Sequence, residues 1–377
     1  DYVHPFSEES KLEVGFSSKS TDRGDTQIAE IFDESTNSFI ADREFSNEFI
    51  YNETVHAAYL QYGGSIGFFG INAGGRYETV DMFSELKTTN ETFKNPYSSF
   101  YPSLSVSFGA PQLLQIQTSY SKRVNRPRSR MLNPFSSRQD NKNIRVGNPF
   151  LKPEYTDSFE INLSRFSRGL SLSLGGYYRH TTDKMQRHKE MRADGVSVTT
   201  YANITDQKTQ GIDYSIVGSL GRKLRLMFSG SVYWDEINTE LYGSDYDNTS
   251  QGQRLRFTTM WNMNPTTEFM FFMFYMPARD IAIGRMDAMS FSSMSLKKKF
   301  MEERFNLTLN VSDPFNLSGF SFYTEGENWQ QQASRNWSSR TVRLTLEYRF
   351  GKMEDKSRYS RQRDQGMGME EGAGEIF

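Results

Sequence analysis

The sequence predicts an all-β protein, a transmembrane antiparallel β-barrel. Three observations predict it. Many segments alternate polar and apolar residues with a period of two. Short and long connections alternate along the chain. Aromatic residues reach 14% of 377 while mean hydropathy is only -0.67. A barrel strand shows lipid only every second residue, which reconciles those last two numbers. On composition alone, a soluble β-rich protein remains the plain alternative.

Other classes are excluded by arithmetic. The longest apolar run, Phe269 to Ala278, is ten residues, and a spanning helix needs about 18 or more. With Cys 0 there is no disulfide scaffold, CxxC site, thiolate metal site or Cys nucleophile. Lys+Arg 44 against Asp+Glu 46 gives -2, a balance that argues against nucleic acid as a partner.

Fourteen strand cores follow in order: 10–19, 50–62, 67–80, 97–108, 112–123, 155–166, 169–182, 207–220, 222–237, 252–263, 266–276, 288–300, 304–312 and 340–350. The clearest is the last, with Val342, Leu344, Leu346, Tyr348 and Phe350 opposed to Arg343, Thr345, Glu347 and Arg349. Phe305, Leu307, Leu309 and Val311 alternate with Asn306, Thr308, Asn310 and Ser312, and Leu170, Leu172 and Leu174 with Ser171 and Ser173. Leu255, Phe257, Trp261 and Met263 against Arg254, Arg256, Thr258 and Asn262 are less regular.

Tight turns are expected at Gly63-Gly64-Ser65, Gly109-Ala110-Pro111, Ser167-Arg168-Gly169, Gly221-Arg222, Asn264-Pro265 and Met301-Glu302-Glu303. Between them lie the longer segments 20–49, 81–96, 124–154, 183–206, 238–251, 277–287 and 313–339. Membrane barrels sort their loops this way, short inside and long outside. Tyr62, Tyr120, Tyr178, Tyr233, Trp234, Trp261, Tyr275 and Tyr348 are candidates for the aromatic girdles, although aromatics favour strands in any case.

Residues 1–350 are thus read as barrel. Residues 351–377, rich in Gly, Met and mixed charge, are read as a disordered periplasmic tail. The chain opens at Asp1 without Met or an apolar leader, so we expect it to be the C-terminal part of a longer precursor.

A resemblance becomes specific in the segment 124–160. Asn125-Arg126-Pro127-Arg128 and Leu132-Asn133-Pro134-Phe135 precede Gly147-Asn148-Pro149-Phe150-Leu151-Lys152-Pro153-Glu154 and Ser158-Phe159-Glu160. This resembles the C-terminal barrel of TonB-dependent outer-membrane receptors, in the version found in Bacteroidetes. Asp1-Tyr2-Val3-His4-Pro5 and the stretch from Trp337 to Phe350 are similar to that group as well. The resemblance covers about residues 1–352. It implies a barrel of 22 strands around a plug, with the N-terminal strands, the plug and the TonB-contacting box missing here. Implied partners are outer-membrane lipid, the TonB complex through the plug, and a surface lipoprotein. The motif residues Gly147, Asn148, Pro149, Leu151, Lys152, Pro153 and Glu154 are read as a folding and loop-shaping element. Pro149 and Pro153 keep the segment extended, and Glu154 and Glu160 are expected to face a wet lumen.

Catalytic chemistry is not visible. His4, His56, His180 and His188 have no zinc-protease spacing, and no nucleophile elbow or phosphate loop occurs. His180 and His188, with Met185 between, suit a weak metal or haem contact less well than a solvated strand end. Haem receptors of the family place a His between two boxes where this chain has none from 57 to 179. The acidic stretch 243–248 lacks EF-hand spacing. No enzyme activity, cofactor or metal site is expected.

The expected function is the wall of a TonB-dependent receptor that takes up a bulky solute across the bacterial outer membrane. Loops 20–49, 124–154, 238–251 and 313–339 would capture it. Candidate ligand-binding residues in them are Arg126, Arg128, Arg130, Tyr242, Tyr246, Trp329 and Trp337. A plugless porin-like or secretion channel, and an adhesive barrel, are the alternatives. The transported substrate is not legible.

Overall fold

A computed structural model describes residues 1–350 apart from 43–45, 111–113, 136, 141, 205, 238–247, 282–283, 327–328 and 336–339. The tail 351–377, Tyr242, Tyr246 and Trp337 therefore lie outside the described residues. All fourteen expected strands are present in one antiparallel sheet, each neighbouring the next in chain order. A further strand, Tyr2–Ser7, adds to the edge by pairing with Ser10–Gln27. It covers part of the edge that the strand at Lys11 would otherwise leave unpaired. Among the described residues no ladder joins Tyr2–Ser7 or Ser10–Gln27 to the last strand, Thr341–Tyr348.

The register divides every strand into two faces that run unbroken across the sheet. Leu309 opposes Leu344, Leu307 opposes Leu346, and Asn310 and Asn306 oppose Arg343 and Glu347. Leu163 opposes Leu174, and Asn162 opposes Gly175. Phe228 opposes Phe257, while Ser229 and Ser231 oppose Arg256 and Arg254. One face is therefore apolar and exposed: Leu60 52%, Phe100 56%, Leu174 49%, Leu344 60%. The other carries most of the Ser, Asn and charged side chains, with Arg165 and Lys298 near the tight-turn end as charged exceptions on the apolar face.

The stagger of this register measures the strand tilt. A line of paired residues starts at Ile66, the last residue of its strand, and passes through Phe69, Phe108, Ile116, Leu163, Leu174, Tyr214, Gly230, Leu255 and Tyr275 to Ser290. Ser290 lies ten residues before Phe300, the corresponding end of its own strand. Ten strand steps thus climb ten residues. One residue of about 3.3 Å per step of about 4.8 Å is a tilt of about 35°, the tilt of a barrel wall.

Correcting for that slope defines a belt on the apolar face. Its lower margin runs through Ile66, Phe108, Leu170, Leu220, Met263, Phe300 and Tyr348, and its upper margin through Phe16, Tyr77, Phe100, Tyr120, Phe159, Tyr178 and Tyr275. Above it the same face turns polar at Ser18, His56, Thr79, Ser98, Asp157, His180 and Gln253. The belt is about ten residues along the strand, about 27 Å high after tilt, which matches a hydrocarbon thickness. Lys298 at the lower margin reaches Thr266 and Thr267 hydroxyls, both at 2.9 Å, and keeps its charge off the belt. Tyr233 departs from expectation: it opposes Gly211 and Gly252 on the polar face and is no girdle residue.

Two connections differ from the sequence reading. The first tight turn lies at Gly67-Phe68, since the ladder of Asn47–Ile66 with Phe69–Leu86 continues through Gly63 and Gly64. Gly67 has φ +61°, a region that glycine enters with no Cβ penalty. The segment 20–49 is largely strand: Ser10–Gln27 and Asn47–Ile66 extend far past the belt, and Glu30–Asp33 pairs with Ser38–Ala41 in a separate hairpin.

Candidate functional site at the barrel mouth

At the long-loop end, the described residues between 126 and 153 fold inward onto the polar face of Asn47–Ile66 and Phe69–Leu86. There Phe49, Tyr51, Met82 and Leu86 meet Leu132 and Leu151 in a small core, with Met131, Phe135, Met185 and Tyr201 against it. Leu132 is 1% exposed and Leu151 0%. Removing such a side chain to Ala costs about 2–5 kcal/mol. A mouth-lining position thus becomes hydrophobic because a loop covers it.

The motif builds that cover. Gly147 N–H donates to Asn133 O at 2.8 Å and Asn148 N–H to Met131 O at 2.7 Å, which bind the segment to the turn after the short helix Ser129–Leu132. Asn148 donates to Tyr201 O and accepts from Phe150 N–H, both at 3.0 Å. Asn203 brackets Lys152 by accepting from its N–H at 2.8 Å and donating to its O at 2.9 Å. Glu154 does not face a wet lumen. It is 5% exposed, and its carboxylate accepts from Asn125 at 2.8 Å and from Met185 N–H at 2.6 Å. Glu160 does line the polar face, partly exposed beside Ser158 and Arg179.

Beside this core sits an ionic knot. Glu78, buried at 5%, receives Arg76 at 2.6 Å and Arg126, while Arg126 Nε donates to Tyr97 Oη at 2.8 Å. Burial alone would lower the Arg126 pKa, and Tyr97 with Glu78 raises it instead. Arg126 is therefore committed to the wall. Arg128, the N-cap of the short helix, and Arg130, within it, are exposed.

Two small sheets stand above. In one, Ser137–Asp140, Asn143–Arg145, Ser197–Ile204 and Lys184–Met191 lie in that order, with Asn143–Arg145 parallel to Ser197–Ile204. In the other the order is Arg279–Ile281, Gly284–Met286, Phe320–Gly326 and Trp329–Arg335. They touch: Lys189 Nζ lies 4.9 Å from the Trp329 ring centroid and donates to Gln331 Oε1 at 3.2 Å. Their nearest wall strands, Gln207–Leu220 and Thr267–Met276, are three strand steps apart, about 14 Å along the wall. The contact therefore joins two neighbouring hairpin sheets along one side of the mouth. Arg279 reaches down to the Tyr233 hydroxyl on the polar face. Below, Asp213, Arg254, Arg256 and Phe274 line a polar groove of about 370 Å³.

The chain matches the outer membrane protein beta-barrel family over residues 1–348. It belongs to that family. Family membership and the belt place it in the bacterial outer membrane. Its fold is similar to the FrpB iron transporter from Neisseria meningitidis, with 14% identity and TM-score 0.62 over 92% of this chain and 54% of that one. It is also similar to the copper transporter OprC (12%, 0.66, 91% and 54%) and the siderophore receptor PiuA from Acinetobacter baumannii (14%, 0.63, 92% and 54%). The chain thus spans about half the length of these structures. No curated protein matches it by sequence.

Of the candidate ligand residues, Trp329 joins the latch and Arg126 the knot. Sequence reading missed Glu78 and Lys189. The Arg76 pair gives Glu78 only an ordinary local charge pattern, and the partner that ties it into the knot, Arg126, is 48 residues away. Lys189 stands 142 residues from Gln331. Among the described residues no group of three or more His, Asp or Glu side chains is placed to hold a metal. His180 meets Asp206 at 3.1 Å, and His188 meets Glu190 at 2.8 Å.

Proposed function

We propose that this chain is the barrel wall of a TonB-dependent receptor that takes up a bulky solute across the outer membrane. The observation that carries the reading is the latch of Lys189 on Trp329 and Gln331, which ties two hairpin sheets together at the mouth above the polar inner face. Built, mutually braced loops at the mouth suit a receptor, which must hold its solute before moving it. Solvated polar and charged side chains on the inner face suit a ligand too large and too polar to cross unaided. The fold similarity to iron, copper and siderophore transporters supports transport and leaves the solute class open. Energy coupling to TonB belongs to the whole receptor, as does any surface lipoprotein partner.

Uptake by cells with and without the protein tests this, using labelled ferric siderophores, copper complexes and oligosaccharides. The expected result is protein-dependent uptake of one class that stops when the proton gradient is collapsed. Equal influx in energised and de-energised cells would point to the porin alternative.

A further inference from the structure

The connection after Phe305–Ser312 divides. Its hairpin joins the small sheet at the mouth, but residues 313–318 turn the other way, onto the apolar face. Three contacts place them there. Asp313 N–H donates to Ser292 O at 2.7 Å, Ser290 Oγ donates to Leu317 O at 2.9 Å, and Phe315 meets Phe271 edge-on at 6.2 Å between centroids. The register puts Ser290, Ser292 and Phe271 on the apolar face, opposite Tyr275, Met273 and Met294. Ser290 and Ser292 are buried on it. Ser312 lies at the upper margin of the belt, so this loop sits at the outer-leaflet boundary.

Irregular backbone beside lipid needs its polar groups satisfied internally. Here the Asp313 carboxylate, 1% exposed, accepts from Leu317 N–H at 2.9 Å and Ser318 N–H at 3.2 Å. Asn316 N–H donates to Asp313 O at 3.1 Å, and Pro314 has no N–H. Phe315 and Leu317 stay 50% and 59% exposed outside this closed turn. In water that exposure would be unfavourable, and in an acyl-chain environment it is favourable.

We propose that residues 313–318 are an interfacial anchor, with Phe315 and Leu317 seated among the acyl chains of the outer leaflet and Asp313 closing the turn behind them. The proposal rests on the barrel reading and commits to lipid as the occupant. It assigns the two halves of one loop to different media.

The chain has Cys 0, so single-cysteine variants need no background substitutions. Phe315→Cys and Leu317→Cys, nitroxide-labelled in the full chain and reconstituted in vesicles, are compared for collision with oxygen and with a water-soluble nickel chelate. Val342→Cys serves as the lipid-facing reference and Ser35→Cys as the aqueous one. Positions 315 and 317 are expected to match 342, reached by oxygen and protected from the chelate. A pattern like that of 35 would overturn the anchor, and so would protection from both reagents, which means a protein covers it. Asp313→Ala in the Leu317→Cys background is expected to shift the label toward the aqueous pattern. No shift would remove Asp313 from the proposal. Chelate access at 342 itself would instead overturn the barrel reading.

Discussion

A methyl group added at Gly147 would run into the carbonyl oxygens of Met131 and Asn133, both backbone atoms that cannot swing away. Gly147→Ala should therefore destabilise the loop cover by about 1–3 kcal/mol, read as a lower unfolding midpoint in detergent. A neutral result would mean that the cover does not need this close approach. Asp33 gives a pH-dependent case outside the membrane. Hydrogen bonds from the Ser35 hydroxyl, the Ser35 N–H and Thr36 hold its carboxyl below the ordinary value. A depressed pKa contributes stability that is present above the unfolded value and is lost as pH falls through the folded one. The hairpin Glu30–Asp33/Ser38–Ala41 should stay ordered at about pH 5 and loosen only below about pH 3.9. Amide exchange at Ser35 checks this, and loosening that begins above about pH 5 would contradict it. At this scale the sequence was partly legible. The motif was readable as a loop-shaping element from its prolines and Gly-Asn pair. The burial of Glu154 was not, because its partners come from Asn125 and Met185 in other segments.

Strands were the most legible elements, since period-two patterning reports a face directly. Val342, Leu344 and Leu346 oppose Val311, Leu309 and Leu307, as the alternation requires. Leu344→Lys, near the middle of the belt, should cost about 2–4 kcal/mol. The check is the folded fraction recovered on refolding into vesicles, with Thr345→Lys on the polar face as a control that should fold normally. The upper ends of the strands were less legible. Ser10–Gln27, Asn47–Ile66 and Phe69–Leu86 continue past the belt, where neither face meets lipid. There, polar residues outside and loop-covered apolar residues inside erase the alternation. The edge strand Tyr2–Ser7 escaped notice because Pro5 and a register shift interrupt its short pattern.

Across the whole molecule, the sorting of connections predicts sidedness. Trypsin added to intact cells should cut after exposed Arg192, between the mouth strands Lys184–Met191 and Ser197–Ile204, and spare the equally exposed Arg168 and Arg222 in tight turns. Fragments from Arg168 or Arg222 would invert the topology. Loop parity was visible in the sequence, but the meeting of two hairpins at the mouth was not, because no local pattern links Lys189 to Trp329. The register also makes the rim uneven. Asn47–Ile66 runs nine residues beyond His56, about 25 Å of wall above the membrane, whereas Phe305–Ser312 stops at the upper margin of the belt. The barrel therefore presents a tall parapet on one side and a low sill on the other. In a cell coated with long surface sugars, the parapet would stand clear first. Antibodies raised against the exposed hairpin Glu30–Asp33/Ser38–Ala41 that caps the parapet should label such cells without the sugars being trimmed.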